Sequence, residues 1–278
     1  MKKTNLDLLK YCRTQLGRPY WFGTFGQIAT PTLLREKRAQ YPKYYTATDF
    51  ERQFGKKVHD CAGLVKGFLF SSGPDAPARY NAKYDLSADQ IIKKCDVSGP
   101  ISEIPRLPGV LLWKPGHMGV YLGGGHVAGG SVKAIEAKGH KYGVVKTIDT
   151  AWKSWGIMSA WFEYLTIEDF VMHLYKTILH RVPEASEINY WTNELNAKRI
   201  DASGIVAAFI CSPECQSFNY TISDFVVVLY YAMFRRDPDE DGARFWIENA
   251  VKFGRDFVLY GMLSTDEWRD NAEYYNNL

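Results

Sequence analysis

The second half of this chain repeats itself, and the repeat decides what that half is able to fold into. The stretch TIEDFVMHLYKTILHRVPEASEINYW from Thr166 returns as TISDFVVVLYYAMFRRDPDEDGARFW from Thr221, in step at 55 residues. Each copy opens on Thr with Asp three residues later, a near relative of the capping box that starts helices. Phe170, Leu174 and Ile178 recur as Phe225, Leu229 and Met233, four apart on one helix face. A Pro-containing turn follows, then a second helix bearing Tyr190-Trp191 or Phe245-Trp246. A third apolar stretch and the turn-like segments SPEC and STDEW close the copies. A helical repeat buries its apolar face against its neighbour. The pattern therefore predicts one all-α domain over 165–278, built from copies at 166–218 and 221–278.

Residues 1–160 read differently, with many Gly and Pro and short alternating segments, so a domain boundary is expected near Tyr164. A length of 278 residues leaves room for two such domains, each with its own core. The net charge of +3 is close to balance, and Lys/Arg cluster only in pairs such as Lys2-Lys3, Lys56-Lys57 and Arg235-Arg236. That excludes a nucleic-acid stripe. The aromatic share of 15% runs high; packing claims aromatics first, and flat surfaces for sugar rings come second. Cysteines at 12, 61, 95, 211 and 215 form no disulfide framework. Cys211 and Cys215 lack a second pair, which argues against zinc, and free thiols point to synthesis in a reducing compartment. Asp7, Lys10 and Arg13 interrupt any signal-peptide core, and nothing approaches the ~20 apolar residues of a membrane span. No signal peptide and no membrane span are therefore expected in this chain, and nothing in it calls for a cofactor.

Three segments of the first half carry chemistry: LGRPYWFG (16–23), HDCAGLVKGFLF (59–70) and PGHMGVYLGGG (115–125), the last followed by KAIEAKG. Asp60 is a favoured N-cap, with Leu64, Val65, Phe68 and Leu69 as the apolar stripe beyond it. Cys61 then falls at the first helical position, where free N–H groups and the positive helix end lower a thiol's pKa. Small Ala62 and Gly63 are expected to leave room for a substrate. HMGVYLG alternates as a strand does, so His117 opens a strand after a Pro-Gly turn. Glu136, on the next strand (Val132–Ala137), is placed to lie across from His117 in an antiparallel pairing and orient its ring. The plain alternatives are a buried structural cysteine and a structural strand histidine.

A turn with Tyr, then Asp-Cys-small-Gly-Leu at a helix start, then Gly-His-x-Gly-x-Tyr-x-Gly on a strand resembles the NlpC/p60 family of cell-wall cysteine peptidases. The resemblance runs from about Leu8 to Trp155 and takes in KYGVVKT and the later tryptophans. It implies a papain-like α+β core, with Cys61 as nucleophile, His117 as base, and Tyr20 and Asp60 on the substrate side. It also implies peptidoglycan stem peptides as substrate, cut between γ-D-glutamate and the following diamino acid. The enzyme would be made in the cytoplasm and act at the cell wall after export or lysis.

Family members place a third polar residue about a dozen positions after the histidine. Here that position is Gly129, inside the expansion GGGHVAGGSVK, so the role passes to Glu136, because AIEAKG looks like the family's own strand at that point. His126 is the rival. The long excursion at 27–45 and 50–55 is read as a wall of the substrate groove, against the plainer reading of a surface excursion with its own packing. The same Cys–His pair would also serve an amidase or acyltransferase, and a degenerate peptidase fold would serve as a binding module. The helical copies resemble a family of repeats of unknown function from bacterial surface and secreted proteins, which makes that half a candidate wall-binding or positioning module. Asp237, Asp239, Asp241 and Glu248 have calcium-loop spacing, but Arg244 and the early helix start favour a helix cap instead.

Overall fold

The computed structural model describes residues 3–73, 76–126 and 130–278. The chain divides into two compact units, Met1–Tyr164 and Leu165–Leu278.

The first unit is α+β. Its elements are α1 (Asn5–Thr14), β1 (Phe25–Ile28), α2 (Pro31–Gln40), β2 (Lys57–His59), α3 (Cys61–Phe70) and α4 (Ala88–Lys93). Six strands follow: β3 (Val97–Pro100), β4 (Leu111–Lys114), β5 (His117–Tyr121), β6 (Val132–Gly139), β7 (Gly143–Asp149) and β8 (Ser154–Ile157). These six form one antiparallel sheet in the order β3-β8-β4-β5-β6-β7, and β1 pairs with β2 in a small second sheet. Alternation along β4, β5 and β6 gives Leu112, Tyr121, Val132 and Ala134 to a core completed by Val110, Trp152 and Trp155.

The helix α3 packs on β1, β5 and β6. Asp60 caps it, its carboxylate accepting the Gly63 N–H as an N-cap should. Gly63 and Gly67 allow the close approach: a Cβ on Gly63 would sit 1.8 Å from the Thr24 carbonyl oxygen, and one on Gly67 2.7 Å from that of Phe25. Gly63 therefore serves helix packing; it is not the open approach to the sulfur expected from its size. The excursion after β1 has its own small core of Trp21, Ala29, Leu34, Tyr45, Phe50 and Val58. It is tied to the turn before β1, where Phe22 stacks on Tyr44 at 3.7 Å and its carbonyl accepts the Tyr45 hydroxyl at 2.7 Å.

The second unit is all helix: α5 (Ile167–Ile178), α6 (Ala185–Asn196), α7 (Ala202–Ile210), α8 (Pro213–Ser217), α9 (Ile222–Phe234), α10 (Glu240–Phe253), α11 (Arg255–Leu263) and α12 (Asp266–Asn276). The two repeated stripes, Phe170/Leu174/Ile178 and Phe225/Leu229/Met233, are buried. SPEC and STDEW are not turns. Ser212 and Thr265 cap α8 and α12 by accepting the Cys215 and Trp268 N–H groups, so each copy has four helices where three apolar stretches were legible. The acidic run at 237–248 is a helix start: Asp239 caps α10, Asp237 accepts from the Tyr231 hydroxyl, Asp241 pairs with Arg244, and Glu248 lies inside α10. These acids thus serve a helix start and its surface pairs, and among the described residues no three metal-ligating side chains converge. No helix among them is long and apolar enough to cross a membrane.

The Gly63 contact gives a test of the α3 packing. Gly63→Ala is expected to destabilise the first unit by about 1–3 kcal/mol through overpacking against a backbone that has no room to yield. A thermal melt unchanged from wild type would show that α3 does not rest on Thr24.

Candidate active site

The site forms where the N-terminus of α3 meets the turn end of β5. Pro115 and Gly116 make the β4–β5 turn, closing the Lys114–His117 pair, and Gly116 has φ +71°, a conformation that favours glycine. His117 is the first residue of β5, and alternation gives it one sheet face with Gly119 and Tyr121. The register pairs Tyr121 with Ala134 and Val120 with Ile135, so Glu136 is diagonal to His117 instead of opposite it. The two still meet: His117 Nε2 lies 2.6 Å from Glu136 Oε2.

Glu136 is fully buried, while the His117 side chain keeps 18% of its surface. Burial alone would raise the Glu136 pKa, but hydrogen bonds from His117 and Thr147, with the nearby Lys114 charge, hold it below its ordinary value. The second oxygen accepts the Thr147 hydroxyl at 2.7 Å. A carboxylate so held keeps Nε2 protonated and leaves Nδ1 as the basic nitrogen of the ring. Trp152 stacks on the imidazole at 5.7 Å, and Gly119 makes space for it, since a Cβ there would meet the indole at 2.9 Å. No short motif announces Trp152; only the sheet brings it to the histidine.

Cys61 occupies the first position of α3. Its thiol donates to the Gly116 carbonyl at 3.8 Å, with the Met118, Ala62 and Cys61 N–H groups close enough to stabilise negative charge on sulfur. The sulfur thus touches the backbone on both sides of His117. In this state its hydrogen bond goes to Gly116, not to the imidazole. Burial pushes the thiol up to about 12, and the Asp60 charge adds to that. The expectation of a depressed thiol pKa is corrected here: the helix start does not offset partial burial beside an acid.

Asp60 also reaches beyond its helix, accepting the Gly23 N–H at 2.9 Å. Both oxygens are therefore engaged by backbone, and burial raises its pKa. Tyr20, two residues before Phe22, bridges to His59, and its phenol is raised by burial, then by the charges of Cys61 and Asp60. His126 stays with its loop, its ring nitrogens 3.2 and 3.3 Å from the Gly130 and Ser102 carbonyl oxygens. Gly129 lies outside the described residues. Asp89 on α4, absent from the sequence reading, accepts the Gly116 N–H at 2.9 Å and the Trp113 indole at 2.7 Å.

A family described as a domain of unknown function, DUF4214, matches residues 158–219 and again 206–272. The helical repeats are similar to it. The match covers less than half of the chain and does not reach Cys61, His117 or Glu136. No curated protein matches the chain.

Two expectations follow. Alkylation of Cys61 should climb about tenfold per pH unit from pH 7 to 10, as for a thiol ionising near 12; a plateau below pH 8 would contradict a neutral resting sulfur. Glu136, with its folded pKa held down, stabilises the sheet above its ordinary 4.5 and loses that contribution as pH falls through the lowered value. Wild type should then lose more protection of the β5 and β6 amides between pH 5 and 3 than Glu136→Gln. Equal losses would mean that the carboxylate contributes nothing there.

Proposed function

We propose that the first unit is a cysteine peptidase of the NlpC/p60 kind, on a papain-like α+β core, hydrolysing stem peptides of bacterial peptidoglycan. The observation that carries this reading is the 2.6 Å bond of His117 to a fully buried Glu136, beside a cysteine at the first turn of a capped helix. A structural histidine has no need of a dry carboxylate on one nitrogen and an unengaged second nitrogen.

In the proposed reaction the thiol leaves the Gly116 carbonyl and gives its proton to His117 Nδ1 as sulfur attacks the peptide carbonyl carbon. The new imidazolium is stabilised by Glu136, whose own proton affinity is kept low. The oxyanion is met by the Cys61 N–H and its neighbours at the helix start. Collapse breaks the C–N bond, and His117 returns the proton to the leaving amine. Water then attacks the thioester, with His117 taking its proton, and the acid product leaves with the thiol restored. Because the resting thiol is neutral, the base has to act in the attacking step itself.

Tyr20 and the docked excursion carrying Tyr44 form one wall of the groove in this reading, and Asp60 fixes that wall by its bond to Gly23. The scissile bond is the one after γ-D-glutamate, as the resemblance implies. The helical repeats hold the enzyme on the wall. No metal or cofactor takes part in these steps.

Purified peptidoglycan digested by wild type should release fragments that end in γ-D-glutamate, identified by mass spectrometry, and Cys61→Ala should release none. Cleavage that survives in Cys61→Ala would sink the mechanism. A wild type inert on every wall type would leave the first unit a binding module, and cleavage at another amide would make it an amidase on the same pair.

A further inference from the structure

Asp89 is the acid near this site that the proposed chemistry leaves unused. It sits in the first turn of α4, a six-residue helix with a capping box between Ser87 and Gln90. One of its oxygens accepts two donors from the β4–β5 hairpin: the indole of Trp113, in β4, and the backbone N–H of Gly116, in the turn. Those bonds, with the Gly116 one first, hold the Asp89 carboxyl below its ordinary value, so it is a charged acceptor across the neutral range. Backbone pairing of Lys114 with His117 closes the turn, and Asp89 is the side chain that holds its Gly116 N–H. Gly116 is exposed, and a Cβ there would meet nothing within 4 Å, so packing does not restrain it. Yet the Gly116 carbonyl is what the Cys61 thiol is bonded to, and the next residue is His117.

We propose that Asp89 is a positioning residue of the active site: through the Gly116 N–H it holds the turn that keeps the Gly116 carbonyl on the resting Cys61 thiol and His117 at the head of β5. It acts through the turn and touches neither substrate nor sulfur. The reading of the turn as a latch rests on the peptidase proposal above, but its first consequence concerns the thiol alone. With the turn released, sulfur loses the Gly116 carbonyl against it and part of the burial that chiefly raises its pKa. Its ionisation should move from about 12 toward the ordinary thiol value of 9.0. At the same time His117 is less well placed for attack, so turnover should fall while the resting thiol becomes more reactive. A merely destabilised protein would not show these opposite changes with its core intact.

The test compares wild type with Asp89→Ala and Asp89→Asn in the full chain. Iodoacetamide labelling is followed cysteine by cysteine over pH 7–10 by peptide mass spectrometry. Cys12, fully buried in α1, reports unfolding. Asp89→Ala is expected to label Cys61 about tenfold faster at pH 8 with Cys12 silent, and to cut kcat for wall fragments roughly tenfold with KM within about twofold. Asp89→Asn keeps an acceptor oxygen and should stay close to wild type in both readouts. Should the alanine variant expose Cys12, Asp89→Glu serves instead, since it keeps the charge and misplaces the oxygen by one methylene; faster Cys61 labelling is expected there too. An unchanged Cys61 profile in the variant that keeps Cys12 silent overturns the proposal, as does an asparagine variant as reactive as alanine. If wild type cuts no wall fragment, the peptidase reading fails while the labelling still decides the role of Asp89.

Discussion

The first unit turns on the two oxygens of Asp60. One accepts the Gly63 N–H of its own helix, the other the Gly23 N–H of the turn that follows Tyr20. A buried carboxylate has to be met by donors or it will not stay charged, and here the donors belong to two separate pieces of backbone. Satisfying the acid therefore fixes the start of α3, and with it Cys61, against the loop that carries Tyr20 and Phe22. Phe22 in turn anchors the excursion through its stack on Tyr44 and its carbonyl bond to Tyr45. One acid thus sets Cys61 and the loop of Tyr20 and Phe22 in a common frame. The cost appears on the neighbouring sulfur, whose proton is harder to remove beside that charge.

What was legible in the sequence is what depends on near neighbours along the chain. The N-cap at Asp60, the strand opened by His117 and the strand carrying Glu136 follow from capping, a Pro-Gly turn and alternation. The pairing of His117 with Glu136 was readable because a hairpin limits the partners available to each strand. It was readable only to within two residues, since the register sets them diagonally on one sheet face. Asp89, and the place of Trp152 beside His117, were hidden for a different reason. They reach the site from α4 and from the segment before β8, and no local pattern marks an aspartate that accepts from a turn 27 residues away. Gly63 was misread because a missing side chain gives the same letter whether it makes room for a ligand or for the Thr24 backbone.

The helical unit shows the same division. Its period exposed the stripes of α5 and α9 at once, but the period also carries a cluster that the stripes do not reveal. Arg181 bonds Glu187 and Glu214 and lies over Tyr175, whose hydroxyl accepts from Trp191. Arg236, 55 residues on, bonds Asp239 and Glu267 and lies over Tyr230. In each copy the arginine ties the turn after the first helix to the start of the fourth. That tie explains why SPEC and STDEW are helix starts: Glu214 and Glu267 stand in the first turn, where a carboxylate suits both the dipole and the arginine. These ion pairs are partly exposed and contribute little energy each. Their use is geometric, since a planar guanidinium held by two carboxylates fixes the angle between two chain segments.

The two units place opposite demands on their charged groups. In the repeats, charges sit at the rim with water at hand, and removing one would cost little beyond local angle. In the sheet, Glu136 has no access to water and depends on His117 and Thr147 for its charge. The dependence runs both ways. An imidazole that gains a proton during attack needs an anion that will not take that proton away, and a carboxylate with two good donors is such an anion. Proton affinity thus differs sharply across the site: it is raised on the Cys61 thiol and lowered on Glu136. In the proposed reaction that contrast would let the proton from sulfur stop at His117, where the leaving amine would need it.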